Sequence, residues 1–328
     1  MAMRVLITGG LGFIGSNLIN FLIRKKDIKK IIVIDNQCKS NLNYIKKIVK
    51  YKYYSNKTKY RNSLDKVIVV NADTRDFNFA KKITKNIDAV IHLAAESGID
   101  LSIKQPRESF DVNVLGTFNY LESCRVNKVK SFIFSSSGAV FGQSKPPMTE
   151  NTERKPISPY GSSKLSIESF CETYSSMFNI NTTILRFSNA YGPFSQHKKS
   201  VISNFIKKIL HNSKLLIHGN GKNTRDYIFA EDIAVAIYKS IKQKNKFNVF
   251  HVSTGNQTSI LKLVKIIKDE FSKHTVKIPK IIYGKERMGD IKFNSLSPLL
   301  IKKKLNWKPS IKLKDGIEKT ISWFIHNT

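Results

Sequence analysis

Residues 7–15 read ITGGLGFIG. The stretch continues the apolar run that starts at RVL, so a short strand runs straight into a glycine turn. Gly9, Gly12 and Gly15 give the spacing GxxGxxG. Glycine allows a tight turn and lets a ligand come close to the backbone, while the helix that follows offers free N–H groups and its positive end to phosphates. The spacing differs by one residue from the GxGxxG dinucleotide fingerprint. A second apolar run, IIVID at 31–35, ends in Asp35, twenty residues beyond Gly15. A carboxylate there can accept hydrogen bonds from the adenosine ribose hydroxyls and would repel a 2′-phosphate. The pair of signals predicts a bound dinucleotide, NAD rather than NADP, a preference that Lys39 tempers.

Further runs repeat the pattern: VIVV at 67–70, AVIHLA at 89–94, SFIFSS at 131–136 and TTILRFS at 182–188. They are β-branched and continuous rather than alternating, as in a parallel sheet covered on both faces. Helical stretches such as NLINFLIRK and NVLGTFNYLESCR separate them. This order predicts an α/β fold with a doubly wound, Rossmann-like parallel sheet. After residue 190 the rhythm changes, which predicts a smaller mixed α/β substrate-binding domain. The expected division is 1–190 for the dinucleotide domain, with about 225–260 returning to it, and 191–224 plus 261–328 for the smaller one.

The 328 residues suffice for such a core. Three cysteines, Cys38, Cys124 and Cys171, lie far apart, with no CxxC pair and no disulfide or metal-ligand spacing. No metal is expected, and a reducing compartment fits. No apolar run reaches the length of a membrane span. The first strand begins too early to leave room for a signal peptide, so a cytoplasmic protein is expected. The formal charge is +32, from 56 Lys and Arg against 24 Asp and Glu. That raises nucleic-acid binding as a possibility. The basic residues are dispersed, however, and no zinc-finger, basic-zipper or aromatic RNA-binding pattern accompanies them. Solvated helix faces account for them, and an anionic substrate would gain from the field.

A second motif supplies chemistry. SPYGSSK at 158–164 places Tyr160 and Lys164 four apart, on one helix face. Tyrosine, with a pKa near 10, is a poor base at neutral pH. A neighbouring ammonium would favour the phenolate. Tyr160 could then take a proton from a sugar or alcohol hydroxyl and later return it. Ser135, Ser136 and Ser137 close the FIF strand, where a hydroxyl could hold the reacting oxygen. A dinucleotide-binding regulatory protein on the same fold would show a broken set, whereas all three types of residue are present here.

Taken together, TGGLGFIG, VIDN, HLAA at 92–95, FSSSGAVFG, SPYGSSK, LRFSNAYGP and TRDYIFAEDIA resemble the extended short-chain dehydrogenase/reductase family, over nearly the whole chain. Its UDP-sugar 4-epimerases are the most similar branch. The resemblance implies a tightly held NAD and transient oxidation of a UDP-hexose at C4. It makes Tyr160 the base and acid, Lys164 its partner and a ligand of the nicotinamide ribose, and Ser137 the holder of O4. Gly9, Gly12, Phe13, Ile14 and Gly15 would cradle the cofactor. Asp35 and Asn36 would grip the adenosine ribose, Asp73 would approach the adenine, and Asn113 would lie near the cofactor. Asn189, Arg225 and Arg287 would bind the nucleotide sugar, the arginines at its diphosphate. A homodimer through a four-helix bundle, from helices near 110–127 and 161–178, is the family expectation.

The family's 4,6-dehydratases resemble one another in a Thr-Asp-Glu run after the serine strand. This chain has Ser137-Gly138-Ala139 instead, so the acid and base for elimination are missing. The related decarboxylases also carry a glutamate at the Ala139 position. AAESGIDLSI at 94–103, by contrast, looks more like the dehydratase version of its loop, and Glu96 either faces a sugar hydroxyl or is structural. In the epimerases a residue four beyond the Asp of a Gly-Asp pair resembles a size gate. Counted from Asp290 this is Asn294, small enough to admit an N-acetyl group. The expected substrates are therefore UDP-N-acetylglucosamine and UDP-N-acetylgalactosamine, or UDP-glucose and UDP-galactose, with UDP-glucuronate epimerisation and 4,6-dehydration as alternatives.

Overall fold

The structure is a computed structural model that describes residues 2–40, 42–61, 63–274, 276, 278–286 and 292–327. Its strands in chain order are β1 (Met3–Thr8), β2 (Ile28–Asp35), β3 (Lys52–Tyr54), β4 (Val67–Asn71), β5 (Ala89–His92), β6 (Ser131–Ser137), β7 (Asn181–Phe187), β8 (Asn189–Tyr191), β9 (Leu215–His218), β10 (Thr224–Arg225), β11 (Tyr227–Phe229), β12 (Phe247–Val252), β13 (Thr258–Ser259) and β14 (Ile281–Gly284). Eight of them form one sheet in the order β12-β7-β6-β5-β1-β2-β4-β3. Every neighbouring pair in it is parallel. The order reverses at β1, so the turns after β1 and β5 meet at the carboxyl ends, where folds of this kind bind ligands.

The continuous apolar runs are explained by burial on both sides. Val5 and Ile7 of β1 point into one core, with the helices Phe13–Leu22 and Ala230–Ile241. Leu6 points into the other, with Phe77–Ile83, Gly116–Val126 and Pro159–Phe178. Each such side chain contributes about 1.5–3 kcal/mol when fully buried, and strict alternation would forfeit half of that. Helix Pro159–Phe178 shows how locally its ends are set. The Ser158 hydroxyl accepts from the Gly161 amide at 3.1 Å, Pro159 takes the first turn, and Asn179 ends the helix with φ of 58°.

A third core gathers Val201–Leu210, Ile260–Phe271 and Leu313–Asn327 with the parallel pair β9–β14. Late segments of the chain also return to the main sheet and the first core. β12 sits beside β7 in the main sheet. Ile301, Leu305 and Trp307, from the chain's last quarter, also join the first core, where the Trp307 indole donates to the Asp232 carbonyl at 3.1 Å. Among the described residues no helix is long and apolar enough to cross a membrane.

Candidate active site

The glycine turn leaves β1 and starts helix Phe13–Leu22. The three glycines are needed for different reasons. Gly9 has φ of +66°, and a Cβ there would lie 2.7 Å from the Ala94 backbone. A Cβ on Gly15 would lie 2.4 Å from the Gly10 Cα. Both are small because the protein itself crowds them. At Gly12 a Cβ would meet nothing closer than the Gly9 carbonyl at 3.2 Å. Gly12 is also the N-cap of the helix and places no side chain on its first turn. That one contact is tight, but no other atom beyond the chain neighbours crowds the position, which suits a turn that admits a phosphate. Phe13 is buried and Ile14 packs against the core, so both fix the helix.

Asp35 faces this turn. Its carboxylate accepts from the Leu11 amide (3.0 Å), the Gln37 amide (2.9 Å) and the Ser40 hydroxyl (2.7 Å). Burial nevertheless pushes its pKa up, against those bonds. A carboxylate has about four acceptor positions, so room for a ribose hydroxyl remains. Asn36 donates to Asp73 at 3.1 Å. Arg75, bonded to the same carboxylate, holds Asp73 down to about 2. Asp35 is thus bonded to the glycine turn, and Asn36 and Asp73 to each other beside it.

The three serines of β6 have separate fates. Ser135 donates to the His92 carbonyl at 2.9 Å, and its own carbonyl accepts from Lys164 Nζ at 2.8 Å. Ser136 donates to Glu168 at 2.6 Å. Ser137 is the one hydrogen-bonded to Tyr160. Ser137, Tyr160 and Lys164 therefore converge. Asn113 joins them from the π-helical turn Asp111–Leu115. It is fully buried, accepts from the Glu96 amide at 2.7 Å, and donates to the Glu96 carbonyl at 3.0 Å and to Ser163 at 3.1 Å. Asn113 ties the loop after β5 to the tyrosine helix.

One expectation is corrected. Lys164 does not lower the Tyr160 pKa here. Burial pushes the phenol up, and only the Ser137 hydrogen bond pulls it back. Lys164 Nζ stands 5.9 Å from the tyrosine ring centroid and is bonded to Ser135. At 2% exposed, Lys164 is itself brought down to about 7 by burial. Burial thus weighs against the phenolate and also against the ammonium that would favour it.

Asn189 and Arg225 lie on the short strands β8 and β10. Asn189 is exposed and donates its side-chain N–H to the Asp226 carbonyl at 3.3 Å. The adjacent Arg225 lies on β10 and bonds the Thr224 carbonyl at 2.8 Å. The Thr224 amide reaches the Lys292 carbonyl at 2.9 Å, so the segment leading to half-buried Asn294 runs alongside. Asn189, Arg225 and Asn294 are thereby brought to one region. Arg287 and Asp290 lie outside the described residues. Among the described residues no cluster of His, Cys, Asp and Glu could hold a metal.

Sequence reasoning left Glu96 open and missed its partners. Glu96 is buried and paired with Lys39, and Lys198 donates to the Ser97 hydroxyl at 2.8 Å. It also missed a buried brace, in which Arg186 binds Glu168 through two bonds of 2.9 and 2.6 Å. A conspicuous sign was available for the brace: a glutamate one turn beyond Lys164 and an arginine inside an apolar strand.

The chain resembles known proteins over nearly its whole length. The family described as GDP-mannose 4,6 dehydratase matches residues 6–320. A putative UDP-glucose 4-epimerase of Methanocaldococcus jannaschii is 35% identical, over 98% of this chain and 99% of its own. The dTDP-D-glucose 4,6-dehydratase of Bos taurus is 32% identical, over 99% and 90%. Among solved structures, the UDP-N-acetylglucosamine 4-epimerase of Methanobrevibacter ruminantium M1, in complex with UDP-N-acetylmuramic acid, superposes with a TM-score of 0.87. It is 29% identical and covers 100% of this chain and 99% of that one. With the glycine turn, the serine strand and the tyrosine helix assembled as described, the chain belongs to the extended short-chain dehydrogenase/reductase family of NAD-dependent epimerases and dehydratases.

Proposed function

We propose that the chain epimerises a UDP-hexose at C4 and keeps NAD through the cycle. The broader statement, NAD-dependent chemistry at C4 of a UDP- or dTDP-linked hexose, rests on the family and its relatives. The choice of epimerisation rests on one observation. The turn that follows β6, Gly138–Phe141, carries no side chain that could act as acid or base. Elimination of water across C5 and C6 needs both, whereas epimerisation needs only one group that gives and takes a proton at O4.

The residues present fit NAD. Gly9, Gly12 and Gly15, with Phe13 and Ile14, would hold its diphosphate at the open helix end; Asp35 and Asn36 would hold the adenosine ribose, and Asp73 would stand by the adenine. NAD, when bound, supplies a reversible acceptor for the hydrogen on C4. Tyr160 would remove the proton from the C4 hydroxyl and return it after the 4-keto sugar has turned over. Ser137, already bonded to Tyr160, would hold O4 within reach of the phenol. Lys164, anchored on Ser135, would fix the nicotinamide ribose. Asn113 keeps the intervening loop in place. Asn189 would bind the nucleotide sugar and Arg225 and Arg287 its diphosphate, since guanidinium forks suit phosphate oxygens. Asn294 would admit an N-acetyl group, which favours UDP-N-acetylglucosamine as a substrate.

A homodimer belongs to the same proposal. Helices Gly116–Val126 and Pro159–Phe178 and the turn before them expose Phe110, Phe170, Met177 and Phe178. These apolar side chains would supply the four-helix contact, and light scattering at micromolar concentration would read the stoichiometry.

The function is tested by separate incubations with UDP-N-acetylglucosamine, UDP-glucose and UDP-glucuronate, without added NAD. A product of unchanged mass and new chromatographic retention is expected, fastest from the N-acetylated sugar. A product lighter by one water would overturn epimerisation in favour of dehydration. Preferred turnover of UDP-glucuronate would overturn the reading of Asn294.

A further inference from the structure

Two lysines from distant parts of the chain converge beside the glycine turn. Lys39 follows Asp35 by four residues and pairs with Glu96. Lys198 comes from the second lobe and donates to Ser97. The loop after β5 that receives them packs directly on the turn, for it is Ala94 that a Cβ on Gly9 would strike.

The loop carrying Lys198 is built to stay where it is. Asn17, on the glycine-turn helix, donates to the Pro193 carbonyl at 2.9 Å. Lys207 donates to the carbonyls of Gln196 (2.8 Å) and Lys198 (3.0 Å). Phe194 holds φ of +64°, a conformation that costs a bulky residue of order 1–3 kcal/mol. It is kept there by the rings of Tyr44 and Trp323, at 5.5 and 5.0 Å. The loop thus bonds the glycine-turn helix at Pro193 and the loop after β5 through Lys198. Lys198, Lys39 and Glu96 together carry one positive charge in excess. Crowding by protein atoms and the charge of Lys39 press the Lys198 ammonium down, and Glu96 partly offsets them.

We propose that Lys198 is a second-lobe ligand of the dinucleotide's diphosphate, with Glu96 setting the charge of the site by neutralising Lys39. A diphosphate bound at the glycine turn would relieve the repulsion between the two lysines, and Lys198 would let the substrate lobe hold the cofactor. This assignment rests on the proposed use of NAD.

The test uses full-length protein stripped of nucleotide, titrated calorimetrically with NAD, ADP-ribose and UDP in turn. Lys198→Met is expected to weaken NAD and ADP-ribose by about 10- to 100-fold, the worth of a hydrogen bond to a charged group. UDP affinity and the melting temperature stay within error, and Lys198→Arg recovers most of the loss. Glu96→Gln, which frees Lys39, is expected to tighten ADP-ribose. If UDP weakens as much as NAD, or alone, Lys198 serves the sugar nucleotide or the cleft as a whole and the proposal fails. Unchanged NAD affinity in Lys198→Met would reduce Lys198 to a loop anchor and also overturn it. A wild type that binds no NAD would instead refute the functional reading on which the assignment stands.

Discussion

The three glycines of the turn make separable predictions. Gly12 adopts φ −73° and ψ −179°, which alanine reaches without strain. Its Cβ would meet only the Gly9 carbonyl at 3.2 Å. Alanine is a poorer N-cap than glycine, by about 0.5–1 kcal/mol, and this is offset by the 0.4–1 kcal/mol or so gained from a stiffer unfolded chain. With the Gly9 carbonyl giving way by a few tenths of an ångström, Gly12→Ala is expected to cost about 1 kcal/mol, less than either other variant. At Gly9 the left-handed backbone costs alanine about 1–2 kcal/mol, and displacing the Ala94 backbone adds about 1–3 kcal/mol. Gly15→Ala pushes into three backbone atoms at 2.4–2.5 Å, with no flexible side chain to yield.

Ligand binding should rank the variants the other way relative to stability. The methyl of Gly12→Ala stands in the approach to the helix end. Loss of one amide–phosphate bond of about 1.5–3 kcal/mol weakens NAD by about 10- to 100-fold. The assay pairs urea unfolding of nucleotide-free protein with calorimetric NAD titration. Gly12→Ala should unfold close to wild type and bind poorly, whereas Gly9→Ala and Gly15→Ala should already be more destabilised without ligand. Wild-type NAD affinity in Gly12→Ala would refute the assignment of that opening to the diphosphate. A stability loss in Gly12→Ala equal to that of Gly15→Ala would refute the packing analysis.

Tyr160→Phe removes the only phenol bonded to Ser137, and turnover of the preferred UDP-sugar should fall by about 10²- to 10⁴-fold, with the melting temperature unchanged. Lys164 binds its proton less readily folded, at about 7, than unfolded, at about 10.4. Between those values the unfolded chain carries the extra proton, so wild-type stability should rise with pH relative to Lys164→Met; parallel pH profiles from urea unfolding would show the reasoning wrong. Asn294→Tyr should reduce turnover of UDP-N-acetylglucosamine while sparing UDP-glucose, and an equal loss on both, followed by chromatography, would remove Asn294 from the substrate gate.

The legible parts of this chain were those fixed by local rules. A β-branched run needs two covered faces, a glycine triplet after a strand needs a close neighbour or a ligand, and a YxxxK pair on a helix shares a face. These rules located β1, β2, β4, β5, β6 and β7, the turn and the tyrosine–lysine pair. Strand β3, Lys52–Tyr54, escaped them because it lies at the sheet edge with one side half-buried, and KYY has no apolar run to show. Residues 299–307 joined the first core through contacts with segments far away in sequence, such as Trp307 with Asp232. Lys39–Glu96 and Lys198–Ser97 were hidden for the same reason: their partners are 57 and 101 residues apart. The Tyr160 pKa failed differently. Spacing revealed the cation but not the burial around the phenol, which acts in the opposite direction.

The serine strand shows why the helix pair can be placed by local rules and still depend on distant ones. Successive residues of β6 meet helix Pro159–Phe178 at three levels: Ser137 with Tyr160, the Ser135 carbonyl with Lys164, and Ser136 with Glu168. Glu168 is a single turn beyond Lys164 and is bound by Arg186 of the next strand, both side chains being 1% exposed. A buried pair of this kind adds little net stability, yet breaking it costs about 3–5 kcal/mol because a bare charge is left behind. A slip of the helix by one residue would break that pair and both other contacts at once. The register that brings the phenol to Ser137 is therefore enforced one and two turns away, by groups that never touch the sugar.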